Sequence, residues 1–167
     1  IIFVHKNSFF TIKRQFYLKD FPGYTAFPGG KVETKDHNKN LFSQEFNTIP
    51  THLLNTCIRE INEELTFNII DALKQNLISS FDCLGYVIFP SFSYTYFKHY
   101  YFSFHCTEKP LFTIKKEELY DFAWSSKSEL LALYRTGDLL ISNHFFPLLD
   151  LVSNRLKNNS VLPSSSS

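Results

Sequence analysis

Three carboxylates crowd into five positions at Glu60, Glu63 and Glu64, within Arg59-Glu60-Ile61-Asn62-Glu63-Glu64-Leu65. If the segment is helical, residues three and four apart share a face, and the three acids form one acidic patch. Leu54, Cys57, Ile58, Ile61 and Leu65 recur at helical spacing on the other side and form a buried stripe. Like charges at this spacing destabilise an isolated helix by about 0.2–0.5 kcal/mol per pair. Two readings follow: a solvated acidic face, or oxygen ligands awaiting a hard divalent cation. Upstream, Phe27-Pro28-Gly29-Gly30-Lys31-Val32-Glu33 places two glycines after a proline. Such a pair marks backbone that takes positive φ or approaches another group closely.

Other residues are candidates for chemistry or for structure alone. Lys13, Arg14 and Lys19 precede the glycine turn and read either as a solvated strand end or as contacts for phosphate. Tyr96, Lys98, Tyr100, Phe102 and Phe104 alternate along one side of a ring-rich stretch. That stripe reads as sheet core, with base stacking as the alternative. Glu118 lies beside Lys115 and Lys116 and reads as a surface charge. His5 reads as an edge-strand residue, and His37 and His52 as solvent-facing.

The elements that must position these groups alternate irregularly. Ile1–Lys6 and Phe9–Arg14 read as a hairpin turning at Asn7-Ser8, and Lys31–Glu33 as a resumed extended segment. A helix from a Thr51 cap to about Leu65 follows, then a short helix over Asp71–Asn76. Phe81–Phe89, Thr95–Cys106 and Leu119–Trp124 read as strands. Ser126 and Glu129 form a capping box for a helix closed by Gly137, and Asn143–Lys157 reads as a last helix. The expected architecture is α/β, a mixed β-sheet with helices on its faces.

The 167 residues fit one domain, with a polar surface insertion at about 37–50 and a serine-rich tail from 161 to 167 that reads as flexible. A formal net charge of +1 gives no reason to expect nucleic acid or an anionic membrane as partner. No apolar run nears the roughly 20 residues that span a bilayer. No basic segment followed by an apolar one opens the sequence, so no secretion signal is expected, and with no Met and Ile at position 1 it is expected to begin just inside the native chain. Three cysteines, each in an apolar stretch, are expected to be buried free thiols in a reducing, cytoplasmic compartment. A homodimer through exposed rings is compatible with the composition.

Taken together, Gly30 to Asp36 and Arg59 to Phe67 resemble the Nudix hydrolase signature, G-x5-E-x7-R-E-U-x-E-E-x-G-U with U aliphatic. The resemblance runs through nearly all of the chain outside the tail. Gly30 and Arg59 are 29 positions apart where the pattern has 14, so about 15 residues are inserted. Asp36 stands in place of Glu, Thr66 in place of Gly, and aromatic Phe67 in the last position. The resemblance implies a Nudix-type α/β/α sandwich and Mg²⁺- or Mn²⁺-dependent hydrolysis of a small-molecule diphosphate, usually a nucleoside diphosphate derivative. It implies Glu60, Glu63 and Glu64 as metal ligands with the Gly29 carbonyl and Glu118. Glu60 could instead be the general base. Arg59 would pair with Asp36 or Glu33. Arg14, Lys19, Gly30, Lys98 and Tyr100 are expected to meet substrate. The interrupted box and the Tyr134–Leu139 stretch look like the branch containing peroxisomal coenzyme A diphosphatases, which points first to coenzyme A or an acyl-CoA. ADP-ribose and nucleoside diphosphate sugars come next. A catalytically silent nucleotide- or protein-binding module is the alternative, favoured by Asp36 and Thr66.

Overall fold

A computed structural model describes residues 1–38, 49–90 and 96–160. Strand β1 (Ile2–His5) turns through Lys6 and Asn7 into β2 (Ser8–Arg14), with Val4 opposite Phe9. The turn lies one residue earlier than Asn7-Ser8, and Lys6 takes a positive φ there. A two-residue β3 (Thr25–Ala26) pairs with β2. Helices α1 (Thr51–Leu65) and α2 (Ile69–Lys74) follow, then β4 (Ile78–Pro90), β5 (Tyr96–Cys106), β6 (Leu119–Ser126), α3 (Lys127–Arg135) and α4 (Phe145–Ser160).

The sheet runs β3-β2-β1-β5-β4, with β6 also on β2. It is mixed: β1 is parallel to β5, and the other pairs are antiparallel. His5 is therefore not on an edge. Strand β1 is flanked on both sides, and His5 Nδ1 lies 3.0 Å from the Cys106 carbonyl oxygen.

Alternation along the strands divides the core in two. Phe3, Phe10, Ile12 and Phe104 point toward Leu53, Leu54, Cys57, Ile61 and Leu65 of α1 and Ile69 and Ala72 of α2. Ile2, Val4 and Phe9 point the other way, toward Leu130 of α3 and Phe145, Leu149 and Val152 of α4. Helices thus cover both faces, as expected for an α/β/α sandwich. Cys57 and Cys106 are buried, Cys83 is half-buried, and all three are free thiols. Among the described residues no helix is long and apolar enough to cross a membrane.

Several local expectations change. Thr51 is the first helical residue rather than the cap; Pro50 occupies the cap position, with no side-chain bond. Lys31–Glu33 is not a strand and leads into a 3₁₀-helix over Thr34–Asn38. The Asp36 carboxylate accepts the Glu33 N–H at 2.8 Å, which turns the chain there. The short second helix starts at Ile69, where the Asn68 side chain accepts from the N–H groups of Ile70 and Asp71. The Ser126–Glu129 capping box forms, and Gly137 takes a positive φ just past α3. Most of the expected insertion, residues 39–48, and the tail lie outside the described residues.

Candidate active site

Helix α1 carries the acidic stretch, and its four-residue spacing sets three different environments. Glu63 is exposed, Glu60 is half-buried, and Glu64 is buried at 4% exposure. The expectation of one continuous acidic face is therefore corrected at Glu64. Three residues after buried Ile61 and next to buried Leu65, it turns toward the core side. There its Oε2 accepts the Gly29 N–H at 2.9 Å. The two halves of the signature thus meet across the insertion. The Ile1 nitrogen donates to the Pro28 carbonyl at 2.8 Å and fastens the glycine turn to β1.

Gly30 faces Glu60. A Cβ at Gly30 would stand 2.1 Å from the Glu60 carboxylate carbon, so only glycine leaves room for this acid against the turn. Burial raises the Glu60 pKa, against the pull of Arg59. Burial likewise pushes Glu64 up to about 7, only partly offset by the Gly29 N–H. Of these two desolvated carboxylates, Glu60 has Arg59 as counter-charge, while the side-chain partner of Glu64 is the neutral Gly29 N–H.

Arg59 organises the remaining acids. Its Nε donates to Asp36 Oδ1 at 3.0 Å and its Nη2 to Asp36 Oδ2 at 3.0 Å. This is the bidentate fork that suits a guanidinium. Nη2 also donates to the Lys31 carbonyl at 2.7 Å, while Nη1 reaches Glu60 Oε1 at 2.8 Å and Glu63 Oε2 at 3.3 Å. Glu33 stands 3.5 Å from the same Nη1. Of the two partners expected for Arg59, Asp36 is the principal one. Burial disfavours the Asp36 anion, yet hydrogen bonds from Arg59, the Glu33 N–H and Thr56 outweigh it, and its pKa falls to about 2. The shorter acid reaches Arg59 because the 3₁₀-helix carries it inward; Asp36 is 3% exposed.

Thr66 ends α1 with φ 51° and ψ 44°, the left-handed conformation that glycine would adopt without strain. Phe67 then packs edge-on against Phe3 and Phe112, so an aromatic in the last signature position serves the core.

The other candidates divide. Glu118 sits close enough for its charge to raise the pKa of Glu64, and the Lys115 N–H donates to the Glu64 carbonyl at 2.8 Å. Glu118 itself is held by Lys115 Nζ at 2.8 Å. The loop after Arg14 joins this region, since the Gln15 N–H donates to the Glu118 carbonyl at 2.9 Å. Arg14 Nε binds the Asp20 carbonyl at 3.2 Å, and Lys19 is exposed on the same loop. Tyr100 packs against the α1-side core and faces the Tyr86 ring at 5.3 Å. Lys98 is exposed, its Nζ 5.2 Å from the centre of the Tyr86 ring. The ring-rich strand is thus core at Phe102 and Phe104, while Tyr96 and Phe97 are exposed. His37 and His52, read separately as solvent-facing, stack on each other at 4.5 Å. Lys35, Asn55 and Thr56 also belong to the cluster and were not singled out in the sequence.

Among the described residues no three His, Cys, Asp or Glu side chains converge to hold a metal. Glu60 and Glu63 turn to Arg59 instead. The donor chemistry nonetheless fits a hard cation: the candidate ligands are oxygens only, and burial disfavours the charged form of two of them, Glu60 and Glu64.

No protein-family model matches the chain, and no curated protein matches it in sequence. Solved structures do match in shape. A NUDIX hydrolase from Alicyclobacillus acidocaldarius superposes with a TM-score of 0.69 at 16% identity, over 91% of this chain and 88% of its own. A MutT NUDIX hydrolase from Burkholderia pseudomallei gives 0.57 at 15% identity, over 90% and 92%. A C. elegans Ap4A hydrolase gives 0.56 at 12% identity, over 94% of each chain. The chain has the Nudix hydrolase fold.

Proposed function

We propose that this protein is a Nudix-type diphosphatase, hydrolysing the diphosphate linkage of a nucleoside diphosphate derivative. The observation that carries this reading is the junction of Glu64 with Gly29 and of Glu60 with Gly30, on a helix that also presents Glu63. Residues 1–160 act as one domain.

Glu60, Glu63 and Glu64 would hold Mg²⁺ or Mn²⁺, with the Gly29 carbonyl and Glu118 as further oxygen ligands. When bound, such a cation neutralises the diphosphate and acidifies a water. By analogy with the fold's enzymes, the alternative role for Glu60, in place of metal ligation, is general base on the attacking water. Arg59 holds Glu60 and Glu63 beside the glycine turn. Arg14 and Lys19, on the loop tied to Glu118, would meet substrate phosphates, and Lys98 and Tyr100 the rest of the substrate. Coenzyme A or an acyl-CoA is the first substrate to try, ADP-ribose and nucleoside diphosphate sugars the next. A homodimer through exposed rings such as Tyr86, Tyr96 and Phe97 and a cytoplasmic address complete the proposal.

Asp36 and Thr66 favour a second reading, a catalytically silent nucleotide- or protein-binding module. Asp36 still grips Arg59, and Thr66 still ends the helix in the left-handed conformation, which supports the enzyme instead. The deciding experiment incubates the protein with Mg²⁺ or Mn²⁺ and a panel of diphosphate compounds. Turnover abolished by Glu63→Gln and Glu64→Gln is expected. Binding without turnover, indifferent to both substitutions, would establish the silent module.

A further inference from the structure

Asn55 and Thr56 are polar yet 2% and 6% exposed, at positions where the signature specifies nothing. They stand four residues before Arg59 and Glu60 and extend the polar face of α1 by one turn. Asn55 Nδ2 donates to the Asp36 carbonyl at 2.7 Å. Thr56 Oγ1 lies 2.9 Å from both Asp36 Oδ2 and the His52 carbonyl. One hydroxyl proton serves one acceptor at a time, and the charged carboxylate is the stronger. Asp36 therefore receives Thr56, the Glu33 N–H and both arms of Arg59 on its carboxylate, and Asn55 on its backbone.

From these contacts we propose that Asn55 and Thr56 are positioning residues of the hydrolytic site. They fix Asp36 to α1, and Asp36, through Arg59, sets where the Glu60 and Glu63 carboxylates stand. This deepens the diphosphatase reading and rests on it. Two features of this chain create the need. The acid facing Arg59 is one methylene shorter than the usual Glu, and about 15 extra residues separate the glycine turn from the helix. Buried side-chain bonds from Asn55 and Thr56 add to the Glu64–Gly29 bond in registering the two halves.

The test compares Thr56→Val, nearly isosteric but without the hydroxyl, with Thr56→Ser, which keeps it. Thr56→Ala replaces the valine variant should that one not fold, as judged by circular dichroism. Three quantities are read: hydrogen exchange at Arg59 Nε–H by NMR, Mn²⁺ affinity without substrate, and kcat and KM with whichever diphosphate is turned over. Loss of the hydroxyl should speed Arg59 exchange and weaken Mn²⁺ binding, each by about tenfold, as for outer partners of metal ligands. It should lower kcat by a similar factor with KM unchanged, and Thr56→Ser should restore all three. A folded Thr56→Val protein with wild-type exchange or wild-type Mn²⁺ affinity would overturn the proposal. If the wild-type protein turns over nothing, the diphosphatase reading falls, while exchange and Mn²⁺ affinity still decide the positioning role.

Discussion

Glu64 Oε2 accepts the Gly29 N–H at 2.9 Å across 35 residues of chain. This bond joins the second residue of the Pro28-Gly29-Gly30 turn to the acidic helix, and it is made by a carboxylate that burial disfavours in its charged form. Its pKa of about 7 lies above the ordinary 4.5. A raised pKa means the folded state holds the proton more tightly, so the stabilisation is complete below 4.5 and is lost as pH rises through 7. Above pH 7 the ionised side chain then costs on the order of 3 kcal/mol. In EDTA, the melting temperature should fall between pH 4.5 and 7, and Glu64→Gln should remove that part of the slope. Excess Mg²⁺ or Mn²⁺ should recover the lost stability at pH 8 in the wild type and much less in Glu64→Gln. Thermal melts across pH, with and without metal, give both answers.

Gly30→Ala tests the close approach of Glu60. The added methyl meets the end of a flexible side chain rather than backbone, so the fold should survive. The carboxylate must move, and a displaced catalytic group lowers kcat by about 100-fold. Steady-state kinetics beside a melting curve would separate the two effects. A variant as active as wild type would show that Glu60 need not lie against the turn.

Asp36→Asn leaves Arg59 half-buried without its main counter-charge. Breaking such a pair from one side costs about 3–5 kcal/mol. The double variant Asp36→Asn, Arg59→Met should cost less than the two single changes added together, because they share one network. Denaturant unfolding measures all three. On the acid side, the lowered pKa of Asp36 stabilises the fold above about 3.8, and this is lost as pH falls through about 2.

Thr66→Gly should stabilise the protein by about 0.5–1 kcal/mol, since glycine accepts the left-handed cap without the Cβ penalty. Thr66→Ala keeps that penalty and should show no such gain. Activity at saturating substrate should stay near wild type in both.

The signature residues were legible because turn and helix rules are local: Gly29, Gly30 and the Arg59–Leu65 helix follow from neighbours in sequence. The burial of Glu64 was not read, although its place three residues after Ile61 put it at the edge of the apolar stripe. No local signal marks Asn55 and Thr56, because polar helical residues usually face water and their partner Asp36 is 19 or 20 positions away. Lys31–Glu33 looked extended, but the Asp36 carboxylate bonds back to Glu33 and turns the chain. The placement of Glu118 near α1 depends on which loop returns beside the helix, a long-range property that local sequence does not carry.

Trp124 is the only tryptophan. It lies 5.4 Å from the Phe10 ring and 6.2 Å from Phe112, which itself touches Phe67 at the end of α1. A single indole thus sits in the aromatic cluster that anchors the acidic helix. Its emission, excited outside the range of the nine tyrosines, gives the protein an intrinsic optical reporter, so loss of packing beneath the helix can be followed without attaching a label.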